Sequence, residues 1–429
     1  MITIPVITER CAGIDVGKRG LAAAVAVGPA DKEAEIDTRW FGTTTPALEE
    51  LRAWLNKHGC TTVAMESTGS YWKPVFNVLE PAVQVCLAQP EQVKARKGHK
   101  TDDKDGWWLG HLLRHAMIAP SFIPVRGQRE LRDLTRRRKK LLGAATAEKN
   151  RVQKILEDAS VKLSSVLSDV FGVSGQLMLE KLLEGKAQPA EIAQLAQRKA
   201  KQRVPEIVAA LEGHQLNDHH RRMIGFSLEH MQFLEQQLNQ LDDAIVSQIE
   251  ALGWNRQWEL VQTVPGLGAH SAATVLAEAG VEMQQFPSDK HLGSWAGLCP
   301  GNNRSAGRSK SSHTHGGNPW LRSALTECAW AAASKRDCFL KEKFWRITTR
   351  RGKKPIALIA IAHTQLRLIY EVLQSGQPYR ERNAEPPSEI QKQRLIRHHI
   401  RRLGKLGIQV RHSSLAPDAM DCRKRKQKT

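Results

Sequence analysis

Paired cysteines are missing from this sequence of 429 residues. Its seven cysteines are odd in number and widely spaced, and no two of them form a C-x-x-C pair. This distribution argues against both a disulfide framework and a cysteine zinc site. We therefore expect a reducing, cytosolic compartment.

Membrane signals are also missing. The apolar runs are too short to span a bilayer, and Met1–Arg10 is too short and too mixed in character for a signal peptide. The basic helices lack the aromatic face with which a surface helix enters a membrane. These absences predict a protein without a membrane partner.

Negative charge is scarce. The sequence has 64 Lys and Arg residues against 44 Asp and Glu residues, which gives a formal charge of +20 and a pI of about 9.8. A field of this sign favours a polyanionic partner, above all nucleic acid. The length predicts two or three domains.

The first hundred residues alternate strand and helix patterns. Helices are predicted to begin near Thr45, Tyr71 and Thr101. Strands are predicted at Cys11–Lys18, Leu21–Val27, Arg39–Thr43, Thr61–Glu66 and Val83–Leu87. Three opening strands followed by alternating helices and strands indicate an α/β domain with a mixed sheet.

Four acidic residues fall at strand ends and at one helix start. Asp15 lies in the C-terminal part of the first strand, and Glu66 ends a later one. Asp102 and Asp105 are three residues apart on a predicted helix, so they share a face. Four such carboxylates suit one or two Mg²⁺ ions in phosphoryl transfer. For Asp102 and Asp105 an alternative stays open, in which acids in the first turn of a helix only complement the helix dipole.

The middle of the chain is helical and strongly basic. Heptad patterns run from Gln128 to Ala159 and again from Met231 to Ile245, and they fit either an antiparallel pair or pairing with a second chain. The first pattern contains a run of cationic side chains, Arg136, Arg137, Arg138 and Lys139. Such a run either grips phosphates or forms a solvated helix face.

The third region combines a Gly-rich turn with a long polar loop. Gly266 and Gly268 precede a small-residue helix, Ala269–Ala279, whose N-terminus offers N–H groups to a phosphate, as in a helix-hairpin-helix element. The loop that follows contains several serines beside Arg304 and Arg308, which are suited to a phosphate. On chemistry alone, no serine in it stands out as a nucleophile.

Several short motifs together resemble those of the DEDD-type transposases of bacterial insertion sequences, the IS110 and IS-eleven-eleven group, which is related to the Piv-type DNA invertases. They occur in family order across most of the chain. The matching segments are Gly13–Lys18, Glu66–Gly69, Lys100–Asp102 with Asp105, Val264–Gly268, Gly297–Pro300, Ser305–Gly307, and Gly317–Asn318 with Leu321–Arg322.

The resemblance implies a fold and a set of reactive residues. It implies a RuvC-like, RNase H-type α/β domain whose metal-binding tetrad is Asp15, Glu66, Asp102 and Asp105, with Mg²⁺ or Mn²⁺ as cofactor. It places the nucleophilic serine at Ser305. We expect a RuvC-like domain over 1–127, a helical coiled-coil oligomerisation region over 128–255, a mostly helical serine-bearing transposase domain over 256–379, and a basic tail over 380–429.

The resemblance also implies a reaction and partners. The family joins the metal site and the serine into one composite centre, and the serine would form a covalent link to DNA before strand exchange. The implied partners are donor and target DNA, a noncoding bridge RNA, and further copies of the chain in a nucleoid-associated dimer or tetramer. Two alternatives remain: a RuvC-like junction nuclease that uses metal-activated water alone, and a non-enzymatic nucleic-acid-binding protein.

Overall fold

The computed structural model describes residues 7–29, 32–66, 69–88, 102–118, 123–301, 303–305, 308–311, 314 and 316–381, with isolated residues between 393 and 403. Side chains at 102–104 and 303–311 lie outside this description. The chain forms two compact units, Met1–Val125 and Arg126–Thr429. The borders predicted at 128, 256 and 380 stay predictions.

A five-stranded mixed sheet organises the first unit. Its strands are β1 (Arg10–Val16), β2 (Gly20–Val27), β3 (Glu35–Gly42), β4 (Thr62–Glu66) and β5 (Gln84–Ala88), in the spatial order β3-β2-β1-β4-β5. The first three strands pair antiparallel, whereas β4 and β5 run parallel to β1. This mixed α/β arrangement confirms the fold class predicted for the N-terminal domain.

Helices cover both faces of this sheet. The helices α1 (Thr45–Lys57) and α2 (Trp72–Leu79) bury one face with an aliphatic and aromatic core, and α3 (Asp102–Arg114) packs on the other. Gly13 permits the close approach of α3, since a Cβ there would lie 2.1 Å from the carbonyl oxygen of Gly106. A strand glycine often marks such an approach of a second backbone.

Two long helices begin the second unit as an antiparallel pair. They are α4 (Arg126–Asp158) and α9 (Asp218–Ala251), and they confirm the coiled-coil part of the predicted fold. The two polar residues that interrupt the heptad pattern of α4 form ion pairs across it, Arg138 with Asp242 and Glu148 with His230. The two heptad patterns pair with each other within one chain, as the antiparallel alternative predicted.

A small helical domain joins the far ends of that pair. It has its own apolar core, which includes residues from α4 and α9. Its elements are α5 (Leu163–Val166), α6 (Val173–Glu184), α7 (Pro189–Ala193), a 3-10 helix (Arg198–Arg203) and α8 (Val204–Leu211).

A second helical core completes the unit. Its helices are α10 (Asn255–Gln262), α11 (Ala269–Ala279), α12 (Asp289–Trp295), α13 (Pro319–Ser334), α14 (Phe339–Arg351) and α15 (Lys354–Ser375), with a 3-10 turn at Met283–Gln285. Within the described chain, α15 alone is long and apolar enough to cross a membrane by length and composition, contrary to the expectation that no run is. Most of its apolar side chains, from Ala357 to Val372, lie in the buried core of this unit.

Candidate functional site

Asp15 and Glu66 lie next to each other at the carboxyl ends of two parallel strands. The register pairs Ile14 of β1 with Met65 of β4. Each acid is the next residue along its strand, and both are half-buried. The carboxyl ends of parallel strands are where α/β sheets commonly bind ligands.

Both carboxylates belong to the face of the sheet that α3 covers. Side chains alternate between the faces of a strand, so Asp15 shares the face of Gly13, against which α3 packs. Glu66 shares the face of Ala64 by the same rule, and Ala64 is buried in one cluster with Leu109 of α3. The sequence pattern therefore determines the face as well as the end of each strand.

The first turn of α3 reaches the same end of β1. Asp105 precedes Gly106, and a Cβ on Gly106 would lie 2.9 Å from the carbonyl oxygen of Ala22. Ala22 is the β2 residue paired with Asp15. The half-buried Asp105 thus sits on the helix turn that crosses the sheet at the level of Asp15. The helix begins at Asp102, whose side chain lies outside the described residues.

The donors at this edge fit a hard divalent cation by chemistry. They are carboxylate oxygens, which Mg²⁺ and Mn²⁺ prefer over nitrogen or sulfur. Among the side chains that the structure describes, no group of three or more His, Cys, Asp and Glu residues is gathered closely enough to hold a metal ion. The fold therefore places Asp15 and Glu66 on one face of the sheet and Asp105 on the helix that covers this face.

Ser305 lies on a short β-hairpin rather than in an irregular loop. The strands β6 (Asn303–Ser305) and β7 (Arg308–Ser311) pair antiparallel, with Ser305 opposite Arg308. A bridge between Pro300 and Thr314 continues the ladder toward the core. The side chains of Arg304, Ser305 and Arg308 lie outside the described residues, but the backbone places all three on one projecting hairpin.

Three of the four predicted phosphate-gripping side chains in the basic run form ion pairs with acidic residues of other helices. Arg136 donates to both carboxylate oxygens of Glu278 at 2.7 and 2.8 Å. Arg138 and Lys139 form ion pairs with Asp242 and Glu327, respectively. Arg137 is exposed to solvent. Most of this charge therefore joins helices, which neither interpretation of the run anticipated.

One feature of the sequence could have predicted the ion pair between Arg136 and Glu278. Glu278 is the single carboxylate in the otherwise small and apolar helix α11. It has no solvent exposure, and buried ionised groups need paired charges. A lone acid on a buried face predicts a cationic partner from another element.

The Gly-rich segment forms a tight turn between α10 and α11. The Leu267 N–H donates to the Val264 carbonyl at 3.1 Å, and Gly266 has a φ of +88°. This is a type II turn, which places proline second and needs glycine third. A side chain on Gly266 would also clash with the Cys328 carbonyl, 2.3 Å from its Cβ position. The predicted helix-hairpin-helix geometry is present.

The turn and the basic run, 130 residues apart in sequence, line one groove. Its volume is about 350 Å³, and its walls come from α4, α9, α11 and α13. Gly266 and Gly268 form one side, and Arg136, Arg138 and Lys139 form another. Five of the residues predicted to bind nucleic acid thus line one groove, and Arg137 is not among its lining residues.

Comparison with known families and proteins gives a consistent result. A model described as "Transposase", for the DEDD domain of IS110 elements, matches residues 12–161, and the model "Transposase IS116/IS110/IS902 family" matches residues 258–343. Together the two matches cover more than half of the chain, in the order predicted from the motifs.

Curated relatives match over part of their length. The pilin gene-inverting protein of Moraxella bovis is 32% identical over 131 residues, which is 30% of this chain and 40% of the relative. An insertion element IS110 protein of 43.6 kDa from Streptomyces coelicolor is 28% identical over 124 residues, 29% of this chain and 30% of the relative. The match thus spans less than half of either relative.

Among solved structures, the RuvC structure of Thermus thermophilus matches with a TM-score of 0.21 and 15% identity, and covers 26% of this chain and 99% of RuvC. The two family matches, joined to the motif order, the sheet topology and the acidic edge, settle the classification: the chain belongs to the IS110 family of transposases.

Proposed function

We propose that this protein is the transposase of an insertion sequence, a recombinase that cuts DNA strands and rejoins them. The proposal rests above all on Asp15 and Glu66, which lie side by side at the ends of parallel strands, with Asp105 on the helix above them. The Moraxella relatives are named for gene inversion, a reaction that needs rejoining as well as cutting, and this supports recombination over simple nuclease activity.

Asp15, Glu66, Asp102 and Asp105 would hold Mg²⁺ or Mn²⁺ in this proposal. The bound ion would neutralise charge on the phosphate oxygens that react. The four carboxylates would place the ion at the end of β1, where the scissile phosphate would bind. Their mutual repulsion makes divalent cations a condition for their convergence.

Ser305 is the proposed nucleophile. Its hydroxyl oxygen forms a bond to the phosphorus of the scissile phosphodiester as the bond from that phosphorus to the leaving strand oxygen breaks. The serine proton is lost and the leaving oxygen gains one, so the step is an isoenergetic exchange of one phosphodiester for another. Attack by a hydroxyl of a second strand then releases Ser305 and rejoins the DNA. Arg304 and Arg308 on the same hairpin would stabilise the charge on the phosphate.

The groove of the second unit is the proposed contact with nucleic-acid backbone. The N-terminus of α11 beside Gly268 favours a phosphate, and exposed Arg137 adds charge along α4. The partners of the proposal are donor and target DNA, a noncoding bridge RNA that selects them, and further copies of the chain. Sequencing the RNA that copurifies with the protein tests the guide directly, since a discrete RNA from the neighbouring DNA is expected.

A denaturing gel with end-labelled element-end DNA tests the chemistry. The wild type and Ser309→Ala, a matched serine change on β7, are expected to give a protein–DNA adduct, and Ser305→Ala none. Normal strand cleavage by Ser305→Ala would favour the RuvC-like nuclease instead. Normal adduct formation by Ser305→Ala would exclude this serine as the nucleophile.

A further inference from the structure

Glu278 joins three helices at a fully buried point of the second unit. It lies on α11, and both of its carboxylate oxygens accept hydrogen bonds from Arg136 of α4. Arg132, one helical turn earlier, approaches the same carboxylate at 3.3 Å and donates to the carbonyl oxygens of Ala277 and Glu278. A buried carboxylate with two guanidinium partners is fixed in position because each alternative leaves a charge unpaired.

Asn318 connects this buried point to the segment that carries Ser305. Its side-chain nitrogen donates to a carboxylate oxygen of Glu278 at 2.7 Å. Its side-chain oxygen accepts from the N–H groups of Trp320 and Leu321, so the same residue caps α13. Its backbone N–H donates to the Trp295 carbonyl at 3.2 Å and closes the base of the hairpin segment.

We infer that Asn318 and Glu278 are positioning residues for Ser305: their hydrogen bond fixes the base of the serine hairpin to the α4–α11 framework. The inference rests on the proposed role of Ser305. Neither residue touches the reacting atoms in this account. Their contribution is to keep the hairpin in one orientation, because nucleophile alignment within about 1 Å carries a large share of the rate in such reactions.

The choice of asparagine supports this role. Asp and Ser cap helices about as well as Asn, so capping alone does not select the amide. The Asn318 amide accepts from the helix N–H groups through its oxygen and donates to the buried carboxylate through its nitrogen, which an ionised aspartate cannot do. Aspartate at 318 would keep the cap and place a second negative charge against Glu278.

The inference also changes the expected role of Arg136. Arg136 contacts two helices, because both of its hydrogen-bond acceptors belong to Glu278 of α11 and its guanidinium lies 5.4 Å from the centre of the Trp320 ring of α13. Its first task is therefore to neutralise Glu278 and fix that framework.

A reciprocal exchange of the two side chains tests the inference. Asn318→Asp keeps the cap and removes the donor, so single-turnover formation of the Ser305–DNA adduct should slow by about ten- to a hundredfold. In the double variant Asn318→Asp with Glu278→Gln, the amide at 278 can donate to the carboxylate at 318, so the hydrogen bond is restored in the opposite direction. This variant should recover most of the rate. DNA binding measured by filter retention should change less than about twofold in each.

Two further variants keep the test decisive. Asn318→Gly removes the donor without adding charge, at a cap position where glycine is tolerated, and should slow the adduct step similarly if Asn318→Asp proves unstable. Asn217→Asp changes an exposed cap of the same kind, on α9, whose side-chain oxygen accepts from the His220 N–H, and should leave the rate unchanged.

The outcomes separate this inference from the proposed function. Loss of rate in Asn318→Asp with recovery in the double variant supports it. An unchanged rate in both Asn318→Asp and Asn318→Gly, with Ser305→Ala still inactive, overturns it and leaves the function standing. Loss of rate without recovery, together with a fall in melting temperature that Asn217→Asp does not show, assigns Asn318 a merely structural role and also overturns it. Adduct formation by Ser305→Ala would instead remove the proposed function.

Discussion

The acidic edge of the first unit and the basic run of the second are the two most charged features of the described chain, and the fold uses them differently. Asp15 and Glu66 are half-buried at the ends of two parallel strands, and the half-buried Asp105 lies on the helix that covers the same face of the sheet. Arg136, Arg138 and Lys139 turn instead toward acids of other helices.

The difference follows from the elements that carry each set. A strand end determines where its last side chain points, and parallel neighbours bring two such ends together. A cationic residue on a long helix has no comparable constraint, so its role depends on which acids the tertiary packing brings within reach. Acidic residues at strand ends are therefore a more specific functional signal than a run of arginines.

The largest expected effect is on catalysis at the acidic edge. Asp15→Asn removes one negative oxygen donor from the end of β1, and strand cleavage should fall by about a hundredfold to a thousandfold. A gel assay of labelled DNA measures it. Glu35→Gln, a change of an exposed acid on the edge strand β3, is the control and should retain full activity. Normal cleavage by Asp15→Asn would show that Asp15 is not needed for catalysis.

The next effect is on stability in the basic run. Arg136→Ala leaves the buried Glu278 with Arg132 and Asn318 only, so the free energy of unfolding should fall by about 2–4 kcal/mol. Urea denaturation followed by circular dichroism measures it. Lys140→Ala removes an exposed cation from the same helix and should change stability by less than about 0.5 kcal/mol. Equal stability in the two variants would show that Arg136 does not stabilise the fold and would favour a role in phosphate binding.

A smaller effect concerns pH and the helix pair. Hydrogen bonds from Arg151 and His230 hold the pKa of Glu148 down to about 2, although its burial opposes this. Because the folded pKa lies below the unfolded value of about 4.3, the pair stabilises the protein above that pH, and the contribution is lost as pH falls toward 2.

The corresponding variant is Glu148→Gln. It should lower the free energy of unfolding at pH 7 by about 1 kcal/mol, because both partners are partly exposed. Thermal unfolding at pH 7 and pH 3 measures the change, and the gap between wild type and variant should narrow at the lower pH. A gap that stays constant across this range would show that ionisation of Glu148 is not responsible.

The smallest effect is expected at the exposed member of the run. Arg137→Ala should leave stability unchanged and weaken DNA binding a few-fold, and the slope of log affinity against log salt should decrease by about 1. Fluorescence anisotropy at several salt concentrations measures this slope. An unchanged slope would remove Arg137 from the nucleic-acid surface.

Local patterns predicted much of the fold. The predicted helix Ala269–Ala279 has the bounds of α11, and Thr61–Glu66 is one residue longer than β4. Helix periodicity and strand alternation fix such elements without knowledge of the rest of the chain. The positions of Asp15 and Glu66 at strand ends could be predicted for the same reason, because local sequence patterns indicate both strands and their ends.

Other features depend on distant partners or weak patterns. The β6–β7 hairpin was missed because its strands are three and four residues long and polar, too short to show alternation. Glu278 gained its role from Arg136, which is 142 residues away, so no local pattern contains the pair. Most of the predicted basic tail, 380–429, lies outside the described residues.

The most direct test of the account is whether the acidic edge binds a divalent cation. Titration of the purified protein with Mn²⁺, followed by electron paramagnetic resonance, measures the number of bound ions and their affinity without any DNA reaction. The account predicts one or two bound ions in the wild type and in Glu35→Gln, with affinity reduced at least about tenfold in Asp15→Asn and Glu66→Gln. Equal Mn²⁺ binding by all four proteins would contradict it.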